Sequence, residues 1–290
     1  MGRIARSELL LALALVCLML LPAPAPAASH EEAEPETMPI LWVSYITAEP
    51  GKSGELGRHI ATEGGKIYDG LLADGHAISW GVAQGVNHFP GDDWTHLEWV
   101  SFTSWAGVNE FVSRFMAAMG AKTPEEMAAD QATWDELTVH GSHYDEISRF
   151  VHVAGDVDQR PGYILVSYFD AQSMQAVGGL GDLYRKRRAP MMDKLVADGK
   201  IIGHGAMVSE IHAEGAMNRI SGYVAMSDLG DMDDLLAAEE ANMAAMSEED
   251  RKEWMETMRT NFDFSRHSDR ILVVLHYNSA GLMGGQEGEE

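Results

Sequence analysis

Histidines, aspartates and aromatic residues recur in this 290-residue chain at one spacing. His88 and His212, His143 and His267, Asp145 and Asp269, and His152 and His276 each lie 124 residues apart, and the same offset sets Tyr223 against Trp99. Imidazoles and carboxylates are the groups of acid–base catalysis and of metal ligation, so their recurrence at matched positions makes them the first candidates for chemistry. His143 with Asp145, and His267 with Asp269, stand two residues apart. Along a strand that spacing puts both side chains on one face, where the carboxylate would orient the imidazole; a local tie between strand and preceding helix is the plainer alternative. His152 and His276 sit among Phe150, Val151, Val274 and Leu275. Burial there would keep the ring neutral, able to accept a proton or hold a metal, or simply satisfied within a core. Two sheets packed with approximate two-fold symmetry would bring the pair together near a common axis. His88 and His212 fall where a strand runs into a turn, a rim position.

The matched residues belong to longer repeated segments. LLADGHAISWG from Leu71 recurs as LVADGKIIGHG from Leu195, HYDEISRFVH from His143 as HSDRILVVLH from His267, and WVSY from Trp42 as LVSY from Leu165. A fixed long period is the mark of an internal duplication. Each copy alternates period-2 runs of β-branched and aromatic residues with helical patterns in the order β-α-β-β-α-β. The first helix spans Ser53 to Asp74 and stops at Gly75; the second is broken at TPEE, where Thr123 and Glu126 form a capping box. The predicted class is α+β: two tandem ferredoxin-like repeats, residues 39–156 and 161–280. One face of each sheet is left bare by its helices and must be buried, most simply on the other copy. Apolar rows are expected against the helices. The opposite rows, with Trp42, Ser44 and Trp99 in the first copy and Ser167 and Tyr223 in the second, are expected to face the space between the sheets as a ligand wall.

Strand order, the long first helix, the broken second helix and the duplication together resemble the dimeric α/β barrel superfamily. That resemblance implies an intrachain pseudo-dimeric barrel that binds a small organic molecule or haem. Members include cofactor-free monooxygenases, haem-degrading enzymes, chlorite dismutase-like haem proteins and lactone isomerases, so the fold alone leaves function open. The haem-degrading members carry an Asn on the first strand, a Trp on the third and a His on the second helix. Trp99 meets the second requirement. The first strands offer Ser44 and Tyr45, or Ser167 and Tyr168, and neither second-helix region holds a histidine. This departure counts against haem degradation and leaves haem binding through His152 or His276.

The ends and the composition bound the rest. Residues 1–27 have a basic start, an apolar run and small residues before a cleavage point, the pattern of an export signal; residues 28–38 and 281–290 read as polar tails. Cys17 is the only cysteine and lies in the signal, so a mature chain would have neither disulfides nor thiolate metal sites. A formal net charge of -24 argues against nucleic acid and anionic membranes as partners. No HExxH, P-loop, GxSxG or dinucleotide fingerprint occurs. Methionines at Met116, Met119, Met127, Met243, Met246, Met255 and Met258 have helical spacing that predicts core packing. Lys186 to Arg188 form a short basic cluster suited to an acidic ligand or to solvent.

The expected protein is thus a periplasmic or secreted α/β barrel that binds a small apolar or aromatic molecule, open to monooxygenase or isomerase chemistry with His152 or His276 as base. The cofactor is undecided between haem and none. Trp80 faces His204 across the repeat, which predicts one working half and one supporting half. A haem- or metal-binding protein using the matched histidines is the alternative, a non-catalytic interaction module the third reading, and self-association is left open.

Overall fold

Eight antiparallel strands close into a barrel in the order β1-β3-β2-β8-β5-β7-β6-β4. The computed structural model describes residues 38–86, 94–211 and 218–281. The export signal, the tails beyond these limits and the segments holding His88 and His212 lie outside the described residues.

The first half of the chain runs β1 (Ile40–Ile46), α1 (Ser53–Ala73), β2 (Ala77–Gly85), β3 (His96–Phe102), α2 (Trp105–Ala121), α3 (Pro124–Leu137) and β4 (Tyr144–Gly155). The second half continues with β5 (Tyr163–Ala171), α4 (Met174–Arg187), α5 (Ala189–Ala197), β6 (Gly203–Ile211), β7 (Arg219–Met226), α6 (Asp231–Ala245), α7 (Glu248–Asn261) and β8 (Phe262–Ser279). Within the barrel the first half lies in the order β4-β1-β3-β2 and the second in the order β8-β5-β7-β6. The halves meet at two seams, β2 with β8 and β6 with β4, so each edge strand is paired and the barrel has no open edge.

Local chemistry sets the boundaries. Gly75 at φ 73° and Gly199 at φ 67° end α1 and α5, because the left-handed turn that lets the next amides reach back to helix carbonyls is open to a residue without Cβ. His76 and Lys200 donate to the carbonyls of Leu71 and Leu195 in the same way. The break at TPEE is real: Thr123 accepts from the Glu126 amide at 3.2 Å, the Glu126 carboxylate accepts from the Thr123 amide at 2.8 Å, and Pro124 opens α3.

The sheet is buried on both faces. Leu56, Leu71, Trp80, Val82, Val100 and Phe102 join α1 and α2 to the outside of the first-half strands. Met192, Leu195, Val224, Met226 and Leu235 do the same in the second half. A third cluster fills the barrel interior, with Leu41, Val43, Tyr45, Trp99, Phe150, Val166 and Leu272 among its members. The methionine expectation needs correction: Met116, Met119, Met127 and Met255 are exposed on their helices, because α2, α3 and α7 each lie on the barrel with only part of their surface. Among the described residues no helix is long and apolar enough to cross a membrane.

Candidate functional site

A cavity of about 280 Å³ runs inside the barrel, close to the lower end of the ~300 Å³ usual for small-molecule sites. Its walls are apolar and aromatic: Leu41, Val43, Trp99, Phe150, Val166, Met207, Tyr223 and Leu272. Both halves contribute, so the expected division into one working and one supporting half does not describe this cavity. The connection from β4 to β5 supplies Val157, Gln159 and Pro161 to the lining, together with Tyr277, whose hydroxyl donates to the Val157 carbonyl at 2.5 Å.

Polar groups gather deeper in. Tyr45 and Tyr168, matched residues of the WVSY and LVSY segments, bring their ring centroids to 6.3 Å. Burial pushes both hydroxyls well above the ordinary tyrosine range, so they are neutral donors at any physiological pH. Buried Glu146 accepts from Ser148 Oγ at 3.2 Å and faces Arg219 at 3.7 Å. Arg219 lies over the Tyr168 ring at 5.5 Å.

Antiparallel register decides which predicted residues reach this space. Val43 pairs with Trp99 and Val166 with Tyr223, and directly paired residues share a face. Trp99 and Tyr223 therefore line the cavity with Leu41, Val43, Ile164 and Val166. The faces expected for the first strand of each half are reversed: Trp42, Ser44 and Ser167 point to the helices. Trp42 packs edge-on against Phe111 of α2, centroids 5.2 Å apart.

His152 and His276 also depart from expectation. Spacing two from Phe150 and Val274 would place them in the barrel, but β4 slips register against β6 between Phe150 and His152, and β8 against β2 between Val274 and His276. Each slip is a bulge, which inserts one residue and re-aims the side chains beyond it. Both imidazoles consequently point away from the axis, toward the helices, and do not converge.

On the helix side each half carries an aspartate-centred cluster on its last strand, at the start of β4 in the first half and within β8 in the second. Asp145 accepts from Ser44 Oγ at 2.6 Å and Trp42 Nε1 at 3.1 Å, with His143 Nε2 at 3.2 Å. Burial alone would raise the Asp145 carboxyl, but these partners hold it below its ordinary value; burial opposes charge on His143, and Asp145 raises it nonetheless. Asp269 likewise meets Ser167 Oγ at 2.5 Å and His267 Nε2 at 3.3 Å. The first cluster has a second acid beside it. Glu98 lies under Gly64 of α1, and burial followed by the Asp145 charge pushes it up to about 8, against the pull of His143 and Tyr68. Sequence reasoning missed Glu98 because its repeat partner is Gly222.

The second helix-side centre involves residues that the same 124-residue offset pairs. Asp69 on α1 accepts from Trp80 Nε1 and from Asn278 Nδ2, both at 2.9 Å. His276 lies against the Trp80 ring at 4.3 Å, its buried Nε2 without a hydrogen-bond partner; burial lowers its pKa against the pull of Asp69. In the other half Asp193 on α5 meets His204 Nε2 at 2.8 Å and His152 Nε2 at 2.9 Å, and Tyr184 OH meets His204 Nδ1 at 2.8 Å. Burial lowers the pKa of His204, although Asp193 pulls the other way.

Haem does not fit this arrangement. Among the described residues no histidine lines the barrel cavity; on the helix side His276 is covered by Trp80 and His152 is engaged by Asp193. The basic cluster is likewise spent within the chain. Arg187 pairs with Asp250 and with Glu253 at 3.1 Å, Lys186 lies 3.9 Å from Glu253, and Arg188 pairs with Glu239 at 2.5 Å.

No protein-family model matches the chain, and no curated protein matches it in sequence. Solved structures share its architecture. A monooxygenase candidate from Fusobacterium nucleatum superposes with a TM-score of 0.54 at 8% identity, over 84% of this chain and 95% of that one. An anthrone oxidase-like protein superposes with a TM-score of 0.51 at 17% identity, over 86% of this chain and 95% of that one. With the closed antiparallel barrel, these likenesses give the chain the fold of the dimeric α/β barrel proteins.

Proposed function

We propose that this protein binds a small, largely aromatic or apolar molecule with one polar end inside its barrel. The observation that carries the reading is the roughly 280 Å³ cavity, whose apolar and aromatic walls lead to a few convergent polar groups: Tyr45, Tyr168, Glu146 and Ser221. Two neutral hydroxyls and a carboxylate held near Arg219 suit a phenol, a carbonyl or an enolisable ring ketone. Such a ligand is also what monooxygenase or isomerase chemistry would require, and Glu146 is the carboxylate placed to take a proton from it. His143, His152, His267 and His276 drop out of that role because they lie on the helix side of the sheet. The anthrone oxidase-like description of one structural neighbour supports an aromatic ligand, and the monooxygenase description of another supports oxygenase chemistry. We further propose that the chain arose by tandem duplication and works outside the cytoplasm, on the strength of its matched segments and its N-terminal export pattern.

The test is titration of the purified protein with 2-naphthol and with anthrone, read by quenching of tryptophan fluorescence from Trp99 in the wall and by thermal shift. Saturable quenching is expected for wild type, and its loss is expected in Ala225→Phe, which fills the cavity with a bulky ring while leaving the helix side untouched. Equal quenching in both proteins, or none in wild type with either compound, would defeat the proposal.

A further inference from the structure

The geometry points to a divalent transition-metal site at His152, Asp193 and His204, on the opposite face of the sheet from the barrel cavity. One donor atom from each residue, Nε2, Oδ1 and Nε2, lies within 4.8 Å of the other two. Two imidazoles and one carboxylate are a donor set for zinc and for other first-row divalent ions. Ligands at ~2.0–2.2 Å from a tetrahedral ion stand roughly 3.3–3.6 Å apart. The carboxylate oxygen is 2.8 and 2.9 Å from the two nitrogens, so each N···O separation would open by about half an ångström around a shared ion, while the donor atoms of all three residues already lie within 4.8 Å of one another.

The surroundings complete the arrangement. Tyr184 OH engages His204 Nδ1 at 2.8 Å, which fixes the ring and leaves Nε2 as the coordinating atom, as a partner behind a metal-bound imidazole does. The side chains of His152 and Asp193 are 24% and 45% exposed, so an ion has a path in and a coordination position open to water. Arg188, the cation near His204, is neutralised by Glu239.

The matching positions in the first half supply the contrast. Asp69 stands where Asp193 does and His276 where His152 does, but Trp80 replaces His204 and gives its indole N–H to the aspartate. An indole nitrogen has no lone pair to offer a metal, so the first half keeps the hydrogen bond without the ligand. Either residue can hydrogen-bond to the aspartate at this position, and of the two only the imidazole can also coordinate an ion.

The test treats the purified protein with a chelator and then titrates zinc by calorimetry and cobalt by visible absorption. Wild type should bind one equivalent, with cobalt d–d bands of a low-coordinate nitrogen and oxygen site. His204→Trp, which installs the residue of the matching half, and the near-isosteric Asp193→Asn should each weaken zinc by about 100-fold, and Tyr184→Phe by about tenfold. Far-UV circular dichroism and the metal-free melting temperature establish that Asp193→Asn is folded. Absence of a stoichiometric site in wild type, or unchanged affinity in folded Asp193→Asn and His204→Trp, would overturn the assignment.

Discussion

Glu98 shows how a single side chain can carry a pH signature for the whole fold. Its carboxyl is pushed up to about 8 from an ordinary value of 4.5, chiefly by burial and then by Asp145. Between those two pH values the folded chain holds a proton that the unfolded chain has released. Stability from this group is therefore fully present below pH 4.5 and is lost as pH rises toward 8. Glu98→Gln should remove the decline: the stability of wild type relative to the variant, measured by urea melts from pH 5 to 8, falls with a slope below ~1.4 kcal/mol per pH unit. A pH-independent difference would mean that Glu98 is ionised in the fold. His96 acts in the opposite sense. Burial takes its pKa to about 4, so acidification below 6.5 costs stability as the unfolded chain gains a proton that the core refuses. The pairs His143 with Asp145 and His267 with Asp269 were legible from their spacing. The neighbours that give the first pair its character, Glu98 and Tyr68, come from another strand and a helix, and no local pattern ties them together.

At the scale of elements, two bulges and two glycines shape the interior. The bulges at Val151 and Leu275 flip the parity of β4 and β8, which is why a period-2 count assigns His152 and His276 to the wrong face. Gly81 and Gly205, matched in the repeated segments, leave room for the rings of Trp99 and Tyr223 beside them. A Cβ on Gly81 would lie 2.4 Å from Trp99 Cη2 and 2.7 Å from the His276 carbonyl, and one on Gly205 would lie 2.5 Å from Tyr223 Cε1. Gly81→Ala should thus destabilise the protein by about 1–3 kcal/mol in a denaturant melt and shift tryptophan emission as Trp99 is displaced into the cavity. A neutral outcome on both would show that the ring moves freely. The strand faces were legible on β3, where Trp99 alternates with Val100 and Phe102. They were misread on β1 and β5, where both rows are apolar enough to be buried and only the register against a neighbour tells them apart.

The whole molecule depends on its two seams. Each half alone would expose an edge strand on either side, β4 and β2 in the first, β8 and β6 in the second, with an uncovered apolar sheet face between them. A chain cut at Gln159 and produced as two coexpressed fragments should copurify as a one-to-one complex with a barrel-like circular dichroism spectrum. Either fragment alone should self-associate, which light scattering after size exclusion would show; a stable monomeric half would contradict this. The amino-acid sequence by itself determined the element order, the helix ends at Gly75 and Gly199, the capped break at Thr123 and the matched residues, because hydrophobic period, caps and turns are local. Closure of the barrel, the side of the sheet on which each histidine lies, and the meeting of Asp193 with His152 and His204 were decided by tertiary structure. These depend on strand register and on one-residue slips, whose energies arise between segments far apart in the chain.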